Sequence, residues 1–269
     1  GDAYISDNGQ VIAVSNTAFS SANKGLHIST DGGSTWTKHT TVTDGSDEVG
    51  VYGLIDGSGD GLLLVAAAGN RIFISTDQGD SWTKRLDTGS FQNGDLDVST
   101  DGQYIAAGQG HIVYFSENSG ANWTSRTRDA TSFQEVIAVA VAEDGSYGWS
   151  ALDSGGTSGL KSYRNLSDVY TGSSLHDASI AGPAADWTKF AMANDEGVLW
   201  TSIGAPPGQS GIPDTWTSTD LSDEFPGKDV KWVDAVASDD GSYLFLAEQD
   251  GGIWISTDWG DTGTWVYPE

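Results

Sequence analysis

One short frame recurs four times along this chain. It reads Ser-x-Asp/Asn-x-Gly-x-x-Trp, and its first copy is "STDGGSTW" from Ser29 to Trp36. The next copies begin at Ser75, Ser116 and Ser256, and the last of them carries two extra residues before its Trp. The first three copies lie 46 and 41 residues apart, a period typical of repeated supersecondary units. The frame residues are Ser29, Asp31, Gly33, Trp36, Ser75, Asp77, Gly79, Trp82, Ser116, Asn118, Gly120, Trp123, Ser256, Asp258, Gly260 and Trp265.

A second signal, a set of polar glycine turns, gives a similar period. Upstream of each frame, two apolar stretches flank an acidic or Asn-containing turn that ends in Gly, as in "YISDNGQVIAV" and "LDVSTDGQYIAA". Gly accepts the positive φ of a two-residue hairpin turn, so each pair of stretches predicts a β-hairpin. The turn glycines are Gly9, Gly61, Gly102, Gly145, Gly197 and Gly241.

These two patterns predict an all-β fold of repeated small sheets. The strands before the frames are apolar on both faces, which indicates sheets packed between neighbouring sheets. We therefore predict a single domain over residues 1–269: a six-bladed β-propeller of four-stranded antiparallel blades, with the frame forming the turn between strands C and D. The expected blades are approximately 1–42, 43–88, 89–130, 131–175, 176–222 and 223–269. The chain starts on a strand A and ends on a strand D, so we expect no terminal strand that closes the ring.

The frame resembles the Asp-box, or BNR repeat, of sialidase-like propellers and of the photosystem II assembly factor-like propellers. In that family the box is a structural turn remote from the catalytic centre, which implies a scaffold role for the frame residues here. The residue chemistry agrees, because an Asp or Asn side chain can accept N–H bonds from its own tight turn. Asn118 in the third copy keeps the acceptor without the charge, and the box Trp is expected to fill the seam between blades.

The resemblance does not extend to the catalytic residues of sialidases. Those enzymes hold the substrate carboxylate with three arginines, one of them in an Arg-Ile-Pro motif, and no Arg of this chain precedes Ile-Pro. The sequence also lacks Cys and a Gly-x-Ser-x-Gly nucleophile elbow. We predict no catalytic residues. A glycoside hydrolase that uses an acidic pair in the propeller channel stays open as an alternative.

The charge balance restricts the partners. The chain has 38 acidic and 12 basic residues, a formal net charge of -26, which repels phosphate backbones and anionic lipid. We therefore predict no nucleic acid partner, and no apolar run is long enough for membrane insertion.

The sequence opens at Gly1 with neither an initiator Met nor a signal peptide, as is typical of a mature or excised segment. We expect an extracellular location or one on a cell or virion surface.

No cofactor and no metal ligand set are predicted. The segment "DGSGDG" from Asp56 to Gly61 imitates the start of a calcium loop, but Ala67 stands where a bidentate Glu is expected, which favours a hairpin turn. Weak calcium binding elsewhere on so acidic a surface stays open.

Candidate binding residues lie on the face opposite the boxes or in the channel. Aromatic side chains beside acids can stack on sugar rings and accept their hydroxyl groups. The alternative is that these aromatics fill junctions between blades. The candidates are Phe91, Phe133, Glu135, Trp232 and Asp234.

The sequence thus favours a non-catalytic structural or binding propeller, with a glycan or a protein surface as partner. It would act in a fibre, a viral appendage or a lectin-like module, and self-association is a further expectation because open sheet edges are poorly protected. The alternatives are the glycoside hydrolase and an assembly-factor-like protein-binding propeller.

Overall fold

The computed structural model describes residues 1–16, 25–39, 41–44, 47–50, 53–68, 71–87, 94–127, 135–141, 148–153, 158–162, 168–172, 179–181, 189–193, 198–203, 217–221, 231–238, 241–249, 251–259 and 265–266. The chain divides into two compact units, Gly1–Ala130 with Glu143–Gly145, and Thr131–Ala142 with Ser146–Glu269. In the described residues, no helix has the length and apolar character to cross a membrane.

The first unit contains three four-stranded sheets and a two-stranded ribbon. The first sheet is β1 (Ala3–Ile5), β2 (Ile12–Asn16), β3 (Gly25–Ser29) and β4 (Thr37–His39). The ribbon is β5 (Thr41–Asp44) and β6 (Asp47–Gly50). The second sheet is β7 (Ile55–Gly57), β8 (Leu64–Ala68), β9 (Arg71–Ser75) and β10 (Thr83–Asp87). The third sheet is β11 (Leu96–Val98), β12 (Ile105–Gln109), β13 (Ile112–Ser116) and β14 (Thr124–Thr127).

The second unit contains two four-stranded sheets and one three-stranded sheet. The fourth sheet is β15 (Glu135–Val141), β16 (Gly148–Asp153), β17 (Ser158–Ser162) and β18 (Asp168–Gly172). The fifth sheet is β19 (Ser179–Ala181), β20 (Lys189–Ala193), β21 (Val198–Ile203) and β22 (Thr217–Asp220). The last sheet is β23 (Trp232–Ala237), β24 (Leu244–Glu248) and β25 (Ile253–Ser256). In every sheet, strands that are consecutive in the chain pair antiparallel.

The all-β prediction is confirmed, but the prediction of six four-stranded blades is wrong. The described strands form sheets of four, three and two strands. The segment around residue 42 forms the separate ribbon, in which Val42 pairs with Val49. After the last frame, the described chain makes only a single bridge between Ile255 and Val266, where the first three frames are followed by a full fourth strand. The spacing of turns locates hairpins and frames, but it does not determine which segments pair into a sheet.

The four turn glycines that the structure describes, Gly9, Gly61, Gly102 and Gly241, adopt the positive φ that the sequence predicts, although the turn itself is longer. Gly9 has φ of 67° and Gly61 has φ of 76°. The backbone N–H of Ser6 donates to the carbonyl of Val11 (2.9 Å), and the N–H of Gly9 donates to the carbonyl of Ser6 (2.7 Å). The loop inside the Ser6–Val11 pair therefore holds four residues, and the expectation of a two-residue turn is wrong.

Neighbouring sheets of the first unit pack face to face through apolar side chains. The core between the first and second sheets includes Tyr4, Ala13, Ile28, Phe73 and Trp82. A second core of aliphatic side chains, which includes Val65, Ile74 and Ile105, joins the second and third sheets. Alternating side chains of the second sheet contribute to both cores, so this sheet is buried on both faces.

Candidate functional site

The frame turn of the first sheet is closed by its own side chains. The hydroxyl of Ser29 donates to Asp31 Oδ1 (2.8 Å), and Ser29 Oγ accepts the backbone N–H of Gly33 (2.8 Å). The Asp31 carboxylate accepts the backbone N–H of Thr35 (2.8 Å) and the Thr35 hydroxyl (2.6 Å). The indole N–H of Trp36 donates to the carbonyl of Gly33 (3.0 Å). Every side chain of the frame therefore bonds to another residue of the same turn.

The same bonds recur in the second and third frames. Ser75 Oγ accepts the N–H of Gly79 (2.8 Å), and Asp77 Oδ1 accepts the N–H of Ser81 (2.8 Å). In the third frame, Asn118 Oδ1 accepts the N–H of Asn122 at the same distance of 2.8 Å. An amide oxygen thus accepts the same N–H bond as the carboxylate oxygen, although its contact with the Ser116 hydroxyl is longer, at 3.2 Å against 2.8 Å in the first frame. The turn therefore needs an acceptor at this position and does not need a charge.

The carboxylates of Asp31 and Asp77 are ionised at neutral pH and exposed to solvent. The Thr35 side chain and backbone, followed by the Ser29 hydroxyl, lower the pKa of Asp31 to about 2. The equivalent bonds from Ser81 and Ser75 lower the pKa of Asp77. A carboxylic acid held in this way cannot donate a proton at neutral pH, so these residues do not serve as general acids. Their contribution to stability is present above the usual Asp pKa and is lost as the pH falls through the lowered value.

Substitution of the frame serine tests this account of the turn. Ser75 is buried and bonds both Asp77 and Gly79, so Ser75→Ala leaves the Gly79 N–H without its acceptor. We expect a loss of about 1–2 kcal/mol in the free energy of unfolding, measured by chemical denaturation. The neighbouring Thr76 is exposed, and Thr76→Ala is the matched control, expected to stay within about 0.5 kcal/mol of wild type. Equal losses in the two variants would contradict the proposed role of Ser75.

The frame tryptophans do not have a uniform environment. Trp82 is 9% exposed and belongs to the core between the first and second sheets, as the seam-filling prediction requires. Trp36 bonds its turn in the same way but is 45% exposed. The hydrogen bond of the indole to its own turn is therefore the shared feature, while the burial of the ring differs between the frames.

The fourth frame departs from the other three. Trp259 takes the position that Gly32 and Gln78 take in the first two frames, with φ of 64°. A bulky residue rarely adopts this left-handed conformation. The side chain of Trp259 is buried together with Trp232 and Trp254 in the core of the second unit. Its packing against apolar side chains offsets the backbone cost.

A group of carboxylates on the first strands was not found from the sequence. Asp2, which precedes β1, accepts the backbone N–H of Ile55 on β7 through Oδ2 (2.9 Å). Asp56 on β7 accepts the N–H of Val98 on β11 through Oδ2 (2.7 Å). In both pairs of neighbouring sheets, an aspartate at the first strand of one sheet therefore accepts a backbone N–H from the first strand of the next sheet. The residues that carried a signal were the Asp side chains within apolar runs such as "LIDG" and "DLDV".

The carboxylates of Asp2 and Asp56 are shielded from solvent, whereas those of the frame residues Asp31 and Asp77 are exposed. Loss of solvation raises the pKa of Asp56 well above its usual range, and the nearby Asp97 and Asp2 charges raise it further. Burial likewise raises the pKa of Asp2, against the lowering effect of the N–H bonds from Ile55 and Ala3. Burial, followed by the Asp56 charge, also raises the pKa of Tyr4, whose hydroxyl donates to the carbonyl of Ser58. A protonated Asp56 can donate a hydrogen bond, which an ionised frame Asp cannot.

The binding candidates from the sequence do not form one described site. Phe91 and Phe133 lie outside the described residues, and Glu135 is placed only as the first residue of β15, paired with Asp153. Trp232 is 1% exposed within the core of the second unit, where a ligand reaches the ring only after a rearrangement. Asp234 is exposed next to an irregularity of β23, and its Oδ1 accepts the N–H of Ala235 (2.8 Å). Ligand binding by these five residues stays a prediction.

The segment that imitates a calcium loop forms a hairpin turn. The hydroxyl of Ser58 donates to Asp60 Oδ1 (2.6 Å), and Asp60 Oδ1 also accepts the N–H of Leu62 (2.9 Å). The Asp60 side chain is thus used within the turn. In the part of the chain that the structure describes, no three His, Cys, Asp or Glu side chains are grouped in a way that could hold a metal ion.

Comparison with solved structures identifies the fold. No protein-family model matches the chain, and no curated protein matches it. It is similar to the β-propeller domain of Cps50 (Swd1) from Myceliophteria thermophila, with a TM-score of 0.63 and 11% identity over 98% of this chain and 84% of that one. It is also similar to a chain of the Mitotic Checkpoint Complex, with a TM-score of 0.68 and 13% identity over 99% of this chain and 77% of that one. With the repeated antiparallel sheets, these similarities show that the chain has a β-propeller fold.

Proposed function

We propose that this chain is a protein-binding propeller without catalytic activity, whose partner presents a basic surface. The net charge of -26 on 269 residues carries the proposal. A surface with this excess of carboxylates attracts cationic surfaces and speeds their association, while it repels nucleic acid and other anions.

The state of the turn carboxylates supports this proposal. Hydrogen bonds within the turns lower the pKa values of Asp31, Asp60 and Asp77, so these groups stay charged at neutral pH. All three side chains are exposed. Because their positions are fixed by the turns, they offer a partner preorganised negative charge with little loss of side-chain entropy on binding.

The structural similarities also favour a protein partner. One similar chain belongs to a structure named as a complex, the Mitotic Checkpoint Complex, and the other is named as a β-propeller domain. The low sequence identity transfers no partner from these proteins to this one. They do fit the alternative of an assembly-factor-like propeller better than the glycan-binding function favoured by the sequence alone.

We further propose that the frames are Asp-box turns. The shared bonds from Ser, Asp or Asn, and Trp to the backbone of their own turn support this assignment in the first three copies. It gives the frames a scaffold role, and the same hydrogen bonds fix the positions of their exposed carboxylates. The extracellular or surface location expected from the sequence stays a proposal of the same kind, as does glycan binding.

A peptide array tests the binding proposal. Labelled protein is applied to lysine-rich, glutamate-rich and neutral peptides at increasing salt concentration, with a glycan array in parallel. We expect retention on lysine-rich peptides that weakens as salt screens the charges, over a Debye length of about 10 Å at 0.1 M. Binding to glycans alone would contradict the proposal and favour a lectin-like function. Retention that is indifferent to peptide charge would contradict the electrostatic basis.

The carboxylates of the first strands favour glycoside hydrolysis as a second candidate. Asp56 has a raised pKa beside a second carboxylate, Asp97, and such a pair can supply an acid and a base. Against this, Asp56 accepts the Val98 N–H just as Asp2 accepts the Ile55 N–H, which indicates a structural tie. Incubation with the glycans of the array decides the matter: turnover that Asp56→Asn and Asp97→Asn each abolish would establish the hydrolase and overturn the non-catalytic proposal.

A further inference from the structure

The seventh residue of the frame has the same use in the first two sheets. In the first frame it is Thr35, whose hydroxyl donates a hydrogen bond to Oδ2 of Asp31. In the second frame it is Ser81, whose hydroxyl donates to Oδ2 of Asp77. The backbone N–H of each of these residues donates to Oδ1 of the same aspartate. Both carboxylate oxygens therefore bind the seventh residue, and its side chain is part of the turn.

In the third frame the turn does not use this side chain. The third residue of this frame is Asn118, which has one side-chain oxygen where an aspartate has two, and the seventh residue is Asn122. The backbone N–H of Asn122 donates to Oδ1 of Asn118 (2.8 Å), so the turn keeps its bond to the main chain. Within the described residues, the side-chain amide of Asn122 makes no hydrogen bond, and Asn122 is exposed.

Asn122 begins a short sequence pattern. Residues 122–124 read Asn-Trp-Thr, which is the Asn-x-Ser/Thr pattern that accepts N-linked glycans. Thr124, the first residue of β14, is also exposed, and its hydroxyl donates to the carbonyl of Phe115 (3.3 Å). The first and second frames read Thr-Trp-Thr and Ser-Trp-Thr at the same positions. The Asn of the third frame alone completes the pattern, and it stands where the turn makes no use of a side chain.

The surroundings of Asn122 are compatible with a large polar modification. The turn is held by other groups: Ser116 Oγ accepts the N–H of Gly120 (2.8 Å), and the indole of Trp123 donates to the carbonyl of Gly120 (3.0 Å). The ring of Trp123 packs against the core between the second and third sheets, whereas Asn122 and Thr124 are exposed. A glycan on Asn122 therefore extends into solvent and displaces no side chain of the core.

We propose that Asn122 is an acceptor for N-linked glycosylation. The glycosyl donor is a lipid-linked oligosaccharide diphosphate. Nδ2 of Asn122 forms a bond to the anomeric carbon of the first sugar, the bond from this carbon to the phosphate oxygen breaks, and the amide gives up one proton as the lipid diphosphate leaves. No group is oxidised or reduced. The proposal rests on the exported location proposed above and not on the binding of a basic partner.

Cell-free translation with microsomal membranes tests the acceptor site. The full chain is fused to a cleavable export signal, and the chains that the membranes protect from added protease are collected. A glycosidase that cuts the bond between Asn and sugar is then applied in heavy-oxygen water, which labels each position that carried a glycan. We expect the label at position 122 of wild type. Because the test supplies the export signal, protected chains without this label would overturn the site itself, whatever the natural location of the protein.

Substitutions within the pattern verify how the site is recognised. Asn122→Gln and Thr124→Ala should each remove the label at position 122, whereas Thr124→Ser keeps the hydroxyl group and should retain it. Asn165→Gln removes the second Asn-x-Ser/Thr pattern of the chain, which lies outside the described residues, and should leave the label at position 122 in place. A label at position 122 that persists in Thr124→Ala would contradict N-linked transfer at this pattern.

Ser81→Asn provides a matched comparison in the second frame. This substitution creates the same Asn-Trp-Thr triplet, but at a position where the turn uses the hydroxyl of the native residue. We expect the membranes to glycosylate this variant as well, because the transferase recognises the triplet in the nascent chain. When both proteins are made in bacteria without a glycan, Ser81→Asn should lower the denaturation midpoint, since Asp77 loses a donor, and Asn122→Gln should not. Equal midpoints in the two variants would overturn the inference that the third frame does not use its seventh side chain.

Discussion

Gly120→Ala is expected to lower the free energy of unfolding by about 2–6 kcal/mol, measured by chemical denaturation. Two costs add in this variant. Gly120 has φ of 75°, a left-handed conformation that costs a residue with a side chain about 1–3 kcal/mol. The added methyl group would also overlap Cδ1 of Ile74 from the neighbouring sheet, and overpacking of this kind costs about 1–3 kcal/mol.

The two costs can be separated by a control and a rescue. Gly9 has a similar φ of 67° and open space where a side chain would stand, so Gly9→Ala should show the backbone cost alone. Ile74→Val removes the Cδ1 atom, so adding it to Gly120→Ala should recover part of the loss in a double-mutant cycle. If Gly120→Ala is no more destabilised than Gly9→Ala, the Cδ1 atom of Ile74 does not fill the space beside Gly120 as tightly as the structure indicates.

Asp56→Asn is expected to stabilise the protein at neutral pH, by about 1.5–3 kcal/mol. The Asn side chain keeps an oxygen for the N–H of Val98 and removes the charge that burial and the nearby Asp97 charge disfavour. The cost of burying a polar group without full compensation is of this size, about 1–3 kcal/mol and more for a charged group. Most substitutions near a core destabilise, so a gain here distinguishes this site from an ordinary polar residue.

The gain should depend on pH in a direction set by the pKa of Asp56. Because folding raises this pKa, the folded protein binds the proton more tightly, and wild-type stability declines as the pH rises through the raised value. Asp56→Asn should therefore match wild type in acid and exceed it as the pH rises. Asp60→Asn is the control, because hydrogen bonds from Ser58 and Leu62 lower the pKa of Asp60. A gain that is equal at all pH values, or equal in both variants, would refute the explanation.

The parts of the fold that depend on local chemistry could be predicted from the sequence. Asp31 and Gly33 stand in a frame whose side chains bond only their own turn, so the eight residues from Ser29 to Trp36 carry the information that builds it. The positive φ of Gly9 and Gly61 follows from the same local logic. The all-β class followed from these turns and the apolar strands between them.

The parts that depend on contacts distant in sequence could not be predicted. The bond from Asp56 to Val98 spans 42 residues, and although Asp56 follows the apolar Leu54 and Ile55, the sequence does not identify the backbone N–H that it accepts. Pairing of Val42 with Val49 competes with their recruitment into a larger sheet, and only the three-dimensional packing decides between them. Trp232 illustrates the same limit: the residue type suggested either a binding platform or a core side chain, and the structure places it in the core.

The pairing of each strand with the next one along the chain also bears on how the protein is made. Each described sheet is a meander, so all of its backbone partners lie within one short stretch of the polypeptide. Contacts that are near in sequence close small loops, which form quickly and at low entropic cost. During synthesis, a sheet can thus complete its hydrogen bonds soon after it leaves the ribosome and then serve as the surface on which the next sheet assembles.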